Sequence, residues 1–318
     1  MSERFKYPIN GICRFENIAQ LIANDDFPKI PIGEMAGFEW YVSLVTNTVD
    51  GLIRIHPYCQ SNHWDNIQNL SIRYFFSYLS RKQSIKCQQT SNVNKPVLLT
   101  SRDSLLGDYL GIESLMNEKF KFLHDGALCI EYGLSVLSLQ HYDKIWRFNF
   151  YDKMFDCDQK QNMITVEDCS RDDSDDCVLL FAPKQLLQFH SPLFKDRNLS
   201  IREQSVRKHN RNIRELLQIA HGVKIEAPDD VLNTADKLGF RNVARYCERQ
   251  MIQERYEDML VFGYFNLAAE YNLNHYLAHL LRHVGPAGCL AAVLMTVDIE
   301  KLSSEYMKQC TKYFFENA

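Results

Sequence analysis

Three histidines, His275, His279 and His283, recur every fourth residue. On one helix they would share a face, where imidazole nitrogens can chelate a metal ion. Tyr276, Leu277, Leu280, Leu281 and Val284 form the competing apolar stripe, which turns the histidines toward water. No carboxylate or thiolate is spaced to complete that ligand set. A second group, His56, Cys59 and His63, offers three zinc-type ligands near a strand end but lacks a fourth. The acidic run Asp172-Asp173-Ser174-Asp175-Asp176 lacks both the central glycine and the later glutamate of an EF-hand, so it reads as a solvated hairpin loop. The basic run Arg207-Lys208-His209-Asn210-Arg211 has the charge for a weak nuclear signal or a phosphate contact. Without interleaved aromatics in an acidic chain, it reads rather as another solvated loop. Gly-x-Ser-x-Gly, a glycine-rich phosphate loop and His-Glu-x-x-His are all missing. The expectation is a binding protein and not an enzyme, with no catalytic residues, no metal and no cofactor.

The chain that must position such residues has 318 of them, enough for two ordinary domains. Its apolar fraction is 46%, its charged fraction 24% and its formal net charge −4. That balance exerts no global pull on nucleic acid or anionic lipid. The opening residues Met1 to Lys6 lack the apolar run of a secretory signal. The longest apolar stretch, Ala287 to Val297, is too short to span a bilayer. Ten cysteines at irregular spacing, with no Cys-x-x-Cys pair, read as reduced thiols in the cytoplasm or the nucleus.

Texture changes near residue 145. Before it, aromatic-rich alternation marks strands at 37–45, 52–55, 70–76 and 127–132, punctuated by Asn47, Asp50-Gly51, Asn92-Val93-Asn94 and Asp125-Gly126. Short strands at this spacing predict a β-sandwich, with one short helix over Ile112 to Met116. The stretches 163–166 and 177–182 read as two further strands. After residue 200 the apolar period becomes 3.6. Ile213, Leu216, Leu217 and Ala220 share a face and Gly222 stops the helix. Val231, Leu232, Ala235 and Leu238 form the next stripe, and Val243, Cys247, Met251 and Ile252 another. Ile299, Leu302, Tyr306, Cys310 and Tyr313 predict a terminal helix capped by Asp298.

Two sets of motifs stand in a telling order. The first half runs Phe15-Glu16-Asn17-Ile18, Gly37-Phe38-Glu39-Trp40, Asp50-Gly51-Leu52 and Trp64, then closes on His124-Asp125-Gly126-Ala127-Leu128-Cys129-Ile130-Glu131. This resembles the MATH, or TRAF-like, domain. The second half carries Asp176-Cys177-Val178-Leu179-Leu180-Phe181, Lys184 to Leu187 and His190-Ser191-Pro192-Leu193-Phe194-Lys195, followed by the helices at 216–222 and 231–238. This resembles a BTB domain, and Leu267 to Leu273 is similar to a helix that follows BTB cores. The resemblance to the MATH–BTB family implies an α+β chain. Residues 8–140 would form the antiparallel β-sandwich, 145–252 the mixed α/β module and 253–318 a helical extension.

In that family the MATH domain holds a protein substrate, while the BTB domain dimerises and docks on cullin-3 for ubiquitin transfer. The resemblance places a substrate groove at Tyr74, Leu106, Gly107 and Asp108. Here the family's Trp-Gly-aromatic element has become Leu106-Gly107-Asp108, less suited to a flat apolar anchor. Ile201-Arg202-Glu203 matches the family's φ-x-Glu cullin contact, in which φ is apolar, so Ile201 and Glu203 are the contact candidates. The segment is shorter than the family's, so Leu199-Ser200-Ile201 reads instead as the next core strand in the alternative. Ile145, Phe148 and Phe150 are the dimer-interface candidates, expected to be partly exposed in a monomer. The implied partners are a protein substrate, cullin-3 and a second copy of the chain, with neither nucleic acid nor membrane. The alternative is an interaction scaffold that has lost cullin binding.

Overall fold

Tight turns register the N-terminal strands. In the computed structural model, Ala36 and Gly37 both adopt positive φ, 57° and 80°, between the paired residues Met35 and Phe38. Asp125 and Gly126, at 51° and 78°, do the same between His124 and Ala127. Two consecutive left-handed residues match the twist of a two-residue hairpin. The residues described are 3–47, 49–60, 67–80, 96–100, 109–152, 163–168, 178–195, 212–253, 261–295, 297–298, 300 and 302–317.

The first elements are β1 (Ile9–Phe15), α1 (Ile18–Asn24), β2 (Ile30–Met35), β3 (Phe38–Asn47), β4 (Leu52–Gln60) and β5 (Ile67–Tyr78). β6 (Val97–Thr100), β7 (Tyr109–Gly111), α2 (Ile112–Met116), β8 (Leu123–His124), β9 (Ala127–His141) and β10 (Trp146–Phe148) follow. Among the described residues these strands make two antiparallel sheets. One has the order β1-β9-β5-β6, with β8 and β10 also on β9, and the other β2-β3-β4-β7. Alternation in β3 buries Phe38, Trp40, Val42 and Leu44, which join Phe15, Leu70, Ile72, Ile130 and Val136 of the other sheet in one core. Trp40 and Phe15 are both fully buried. The Trp40 indole N–H donates to the Met35 carbonyl, so the ring is buried with its one polar atom satisfied. Tyr78 of β5 donates its hydroxyl to the Ile53 carbonyl of β4, tying the two sheets together.

β11 (Met163–Asp168) and β12 (Val178–Pro183) form a two-stranded sheet. The later elements are helical: α3 (Lys184–His190), α4 (Ile213–Ala220), α5 (Asp229–Lys237), α6 (Arg241–Gln253), α7 (Val261–Glu270), α8 (Asn274–Leu281), α9 (Ala287–Leu294) and α10 (Ser304–Asn317). The protein is thus α+β, with antiparallel sheets mostly N-terminal and helices C-terminal. It divides into two compact units, Met1–Thr165 with Leu179–Pro183, and Val166–Val178 with Lys184–Ala318.

In the helical unit, the run Ser191 to Phe194 anchors α3 to the turn between α5 and α6. Ser191 is fully buried, and its hydroxyl donates to the Leu238 carbonyl while accepting from the Leu193 N–H. Phe194 meets Phe240 edge-on, with ring centroids 5.7 Å apart. Glu248 of α6 is only 4% exposed, and its Oε1 accepts from the N–H groups of His275 and Tyr276 at 2.7 and 3.0 Å. A carboxylate from one helix therefore caps another, satisfying two donors that the start of α8 leaves open.

Two expectations differ from the structure. The terminal helix begins at Ser304, not at residue 299, and the Ser303 hydroxyl accepts from the Tyr306 N–H where Asp298 was expected to cap. Residues 146–150, read as the start of the second module, continue the first unit's sheet instead. β10 pairs with β9, and the Asn149 N–H donates to the Leu137 carbonyl just beyond it.

Candidate functional site

Strand alternation that buries Trp40, Val42, Ile53 and Ile55 sends the intervening residues to the outer face of the β2-β3-β4-β7 sheet. Register aligns them in rows, with Tyr41 opposite Tyr58, Ser43 opposite His56, and Val45 opposite Arg54, which in turn faces Tyr109 of β7. Tyr41 and Tyr58 stack with centroids 5.4 Å apart, and the His56 ring lies 5.5 Å from Tyr58. Lys29, in the segment leading into β2, places its ammonium 5.1 Å from the Tyr58 centroid. The Arg54 guanidinium stands 5.6 Å from the Tyr109 centroid. The result is an aromatic surface studded with cations, each held by the face of a ring.

Charge on this face is polarised. Lys29, just before β2, and Arg54, on β4, lie toward the end of the sheet where β2 begins. Glu34 and Glu39 pair at the opposite end, beside the Ala36-Gly37 turn, and Glu39 accepts the Tyr41 hydroxyl at 2.6 Å. Burial, followed by the nearby Lys29 charge, lowers the His56 pKa from its usual value, so the ring favours its neutral form. Arg54 Nε, His56 Nε2 and the Tyr58 hydroxyl are each shielded from solvent, and none has a hydrogen-bond partner among the described residues. Three such atoms along alternate residues of one strand are a concentration of unmet hydrogen-bonding capacity.

Of the expected groove residues only Tyr74 is among those described, and it does not lie on this face. Tyr74 belongs to β5 of the other sheet, where its ring packs half-buried against the core beside Phe76. It points to the side that Ile72 and Tyr78 share, which explains why it lines no outer surface. Leu106, Gly107 and Asp108 lie outside the described residues, as do Ile201 and Glu203, Trp64, and the basic run at 207–211. Tyr109, immediately after 106–108, opens β7 and is 55% exposed. Phe148 is 46% exposed on β10 and Ile145 is half-buried, whereas Phe150 is only 4% exposed. The expected exposure of Phe150 is corrected by its surroundings, where its carbonyl accepts from the Phe181 N–H at 2.6 Å. In the helical unit, Leu186, Phe189 and Leu193, on α3 and the turn after it, are 40%, 81% and 45% exposed.

The chain matches no protein-family model and no curated protein sequence.

Among the described residues the metal candidates do not converge into a group of three ligands, although the His279 and His283 rings lie 4.7 Å apart. His56 faces outward from β4, whereas Cys59, whose partner across the ladder is Trp40, packs against the core, and burial pushes its thiol up to about 12. His63 lies outside the described residues. His275 and His283 are exposed, while His279 is half-buried with its ring stacked 6.3 Å from that of Tyr276. Against α2, a surface cleft lined by residues of the run 115–123 brings together only Glu118 and Lys121 as charged groups. Among the described residues no helix is long and apolar enough to cross a membrane.

Sequence reading passed over Lys29, Tyr41, Arg54, Tyr58 and Tyr109. The alternation Arg54-Ile55-His56-Pro57-Tyr58 carries the signal, since it sets three polar side chains on one face of one strand.

Proposed function

We propose that this chain is a non-enzymatic substrate adaptor of a cullin-3-type ubiquitin ligase, built as a MATH-like module followed by a BTB-like module. The two-sheet unit recruits a protein substrate. The helical unit pairs with a second copy and docks on the cullin. The observation that carries the reading is the outer sheet face, where aromatic rings, ring-bound cations and unpartnered polar atoms form a recognition surface. Residues that move no electrons and share no reacting atom, but present shape and charge, suit binding.

Two further features support it. The motif order in the sequence follows the MATH–BTB arrangement, and the Ser191–Phe194 motif anchors α3 by buried contacts. The apolar residues Leu186, Phe189 and Leu193 supply exposed surface for association, of the kind that marks interfaces. They suit that task better than Phe150, which is buried.

The test is capture of cullin-3 by the tagged full chain. Wild type is expected to retain cullin-3, and Ile201→Ala combined with Glu203→Ala to lose it at unchanged melting temperature. A lowered melting temperature would instead assign Ile201 to the core, at a cost of about 2–5 kcal/mol. Absence of cullin-3 from the wild-type capture favours the scaffold that has lost this contact.

A further inference from the structure

The outer sheet face has more specific chemistry than a general binding surface. Lys29 and Arg54 each lie over an aromatic ring, and among the described residues neither forms an ion pair with a carboxylate. A ring face holds a cation in place without neutralising it, so the charge stays available to an incoming anion. Among the described residues, the carboxylates of this face, Glu34 and Glu39, sit at the end away from Arg54, one of them bonded to Tyr41. The spacing is also informative. Arg54 and His56 are alternate residues of β4, about 6.8 Å apart along the strand. An extended peptide presents its own alternate side chains at the same interval. Tyr41, Tyr58, Tyr109 and Val45 surround the cations with rings and an exposed aliphatic group, suited to the apolar stems and intervening residues of such a peptide.

We propose that this face, through Lys29, Arg54 and His56, binds an extended segment of a partner protein that carries aspartate or glutamate at alternate positions. This deepens the adaptor reading by naming the class of segment recruited. Carboxylates at that spacing supply acceptors for Arg54 Nε and His56 Nε2, which the described residues do not. The exposed Tyr109 ring and the Lys29 side chain, both at the surface, are the groups that shift to admit them.

The probe is a fluorescent eight-residue peptide of alternating glutamate and alanine, titrated with the full chain by anisotropy. Its lysine–alanine counterpart and a phosphothreonine–alanine version serve as comparisons. The glutamate peptide is expected to bind, to weaken as salt rises from about 50 to about 300 mM, and to outcompete the lysine peptide. Lys29→Glu with Arg54→Glu should weaken it about tenfold or more, while Lys308→Glu, on the exposed face of α10, should leave it unchanged. Circular dichroism of each variant checks that it folds, and Lys29→Gln with Arg54→Gln provides a milder pair if the reversal does not. Equal binding of the lysine peptide, binding of the phosphorylated peptide alone, or indifference to both double variants overturns the proposal. Cullin-3 capture by the Lys29→Glu, Arg54→Glu variant should match wild type. Loss of cullin-3 from both, with glutamate binding intact, would remove the ligase role and leave this recognition standing.

Discussion

Asp152 shows how one side chain can set a pH response. Its Oδ2 accepts from the Ala36 N–H and from the Asn149 amide, clamping the left-handed Ala36-Gly37 turn. Burial nevertheless outweighs these bonds and raises its pKa from 3.8 to about 6. The folded chain therefore holds this proton more tightly than the unfolded chain does. The stability it contributes is complete below about pH 3.8 and is lost as pH rises through about 6. At about 1.4 kcal/mol per pH unit, the loss is no more than about 3 kcal/mol. Asp152→Asn keeps the acceptor and removes the charge, so it should melt higher than wild type at pH 7 and equal it near pH 4. Thermal melts across that range read the difference. At this scale part of the core was legible: Trp40 falls in the strand read at 37–45, and it is fully buried there. The sequence concealed Tyr74, because an aromatic in a strand looks the same whether its ring meets solvent or core. What Arg54 and Tyr58 meet was not legible, because their partners Tyr109 and Lys29 stand on neighbouring segments.

Helices and strands were legible wherever the pattern was local. The spans at 112–116, 213–220 and 231–238 correspond closely to α2, α4 and α5. Their ends were less so, because capping depends on which side chain reaches the N–H groups. Ser303 does this for α10, and a glutamate twenty-six residues upstream of Asn274 does it for α8. No window around α8 contains Glu248. Its replacement gives an element-scale prediction. Glu248→Ala leaves two N–H groups at the start of α8 without an acceptor and should cost about 2–3 kcal/mol in chemical denaturation. Glu248→Gln retains an oxygen and should cost less. Hydrogen exchange should accelerate first in residues 274–281. Strand pairing was equally hidden: β10 was read into the second module because its contact with β9 is not a property of its own three residues.

At the scale of the whole molecule, one unit offers a charged aromatic sheet face and the other an exposed apolar surface on α3. Self-association should depend on the second. Sedimentation at micromolar concentration should show dimers for wild type and monomers for Leu186→Asp with Phe189→Asp, both at exposed positions where the fold tolerates charge. Unaltered dimers in that variant would move the interface elsewhere, with Phe148 and Ile145 the next candidates. The order of the two motif sets was plain in the sequence, whereas the shape of their surfaces was not, since exposure is a property of the folded chain. The adaptor role is tested most directly by calorimetric titration of the purified full chain with purified cullin-3. The account predicts saturable binding at one cullin per chain, with Kd about 1 μM or tighter, corresponding to about −8 kcal/mol. No heat of binding at about a hundredfold higher concentration, from a chain that melts cooperatively and still dimerises, would contradict it.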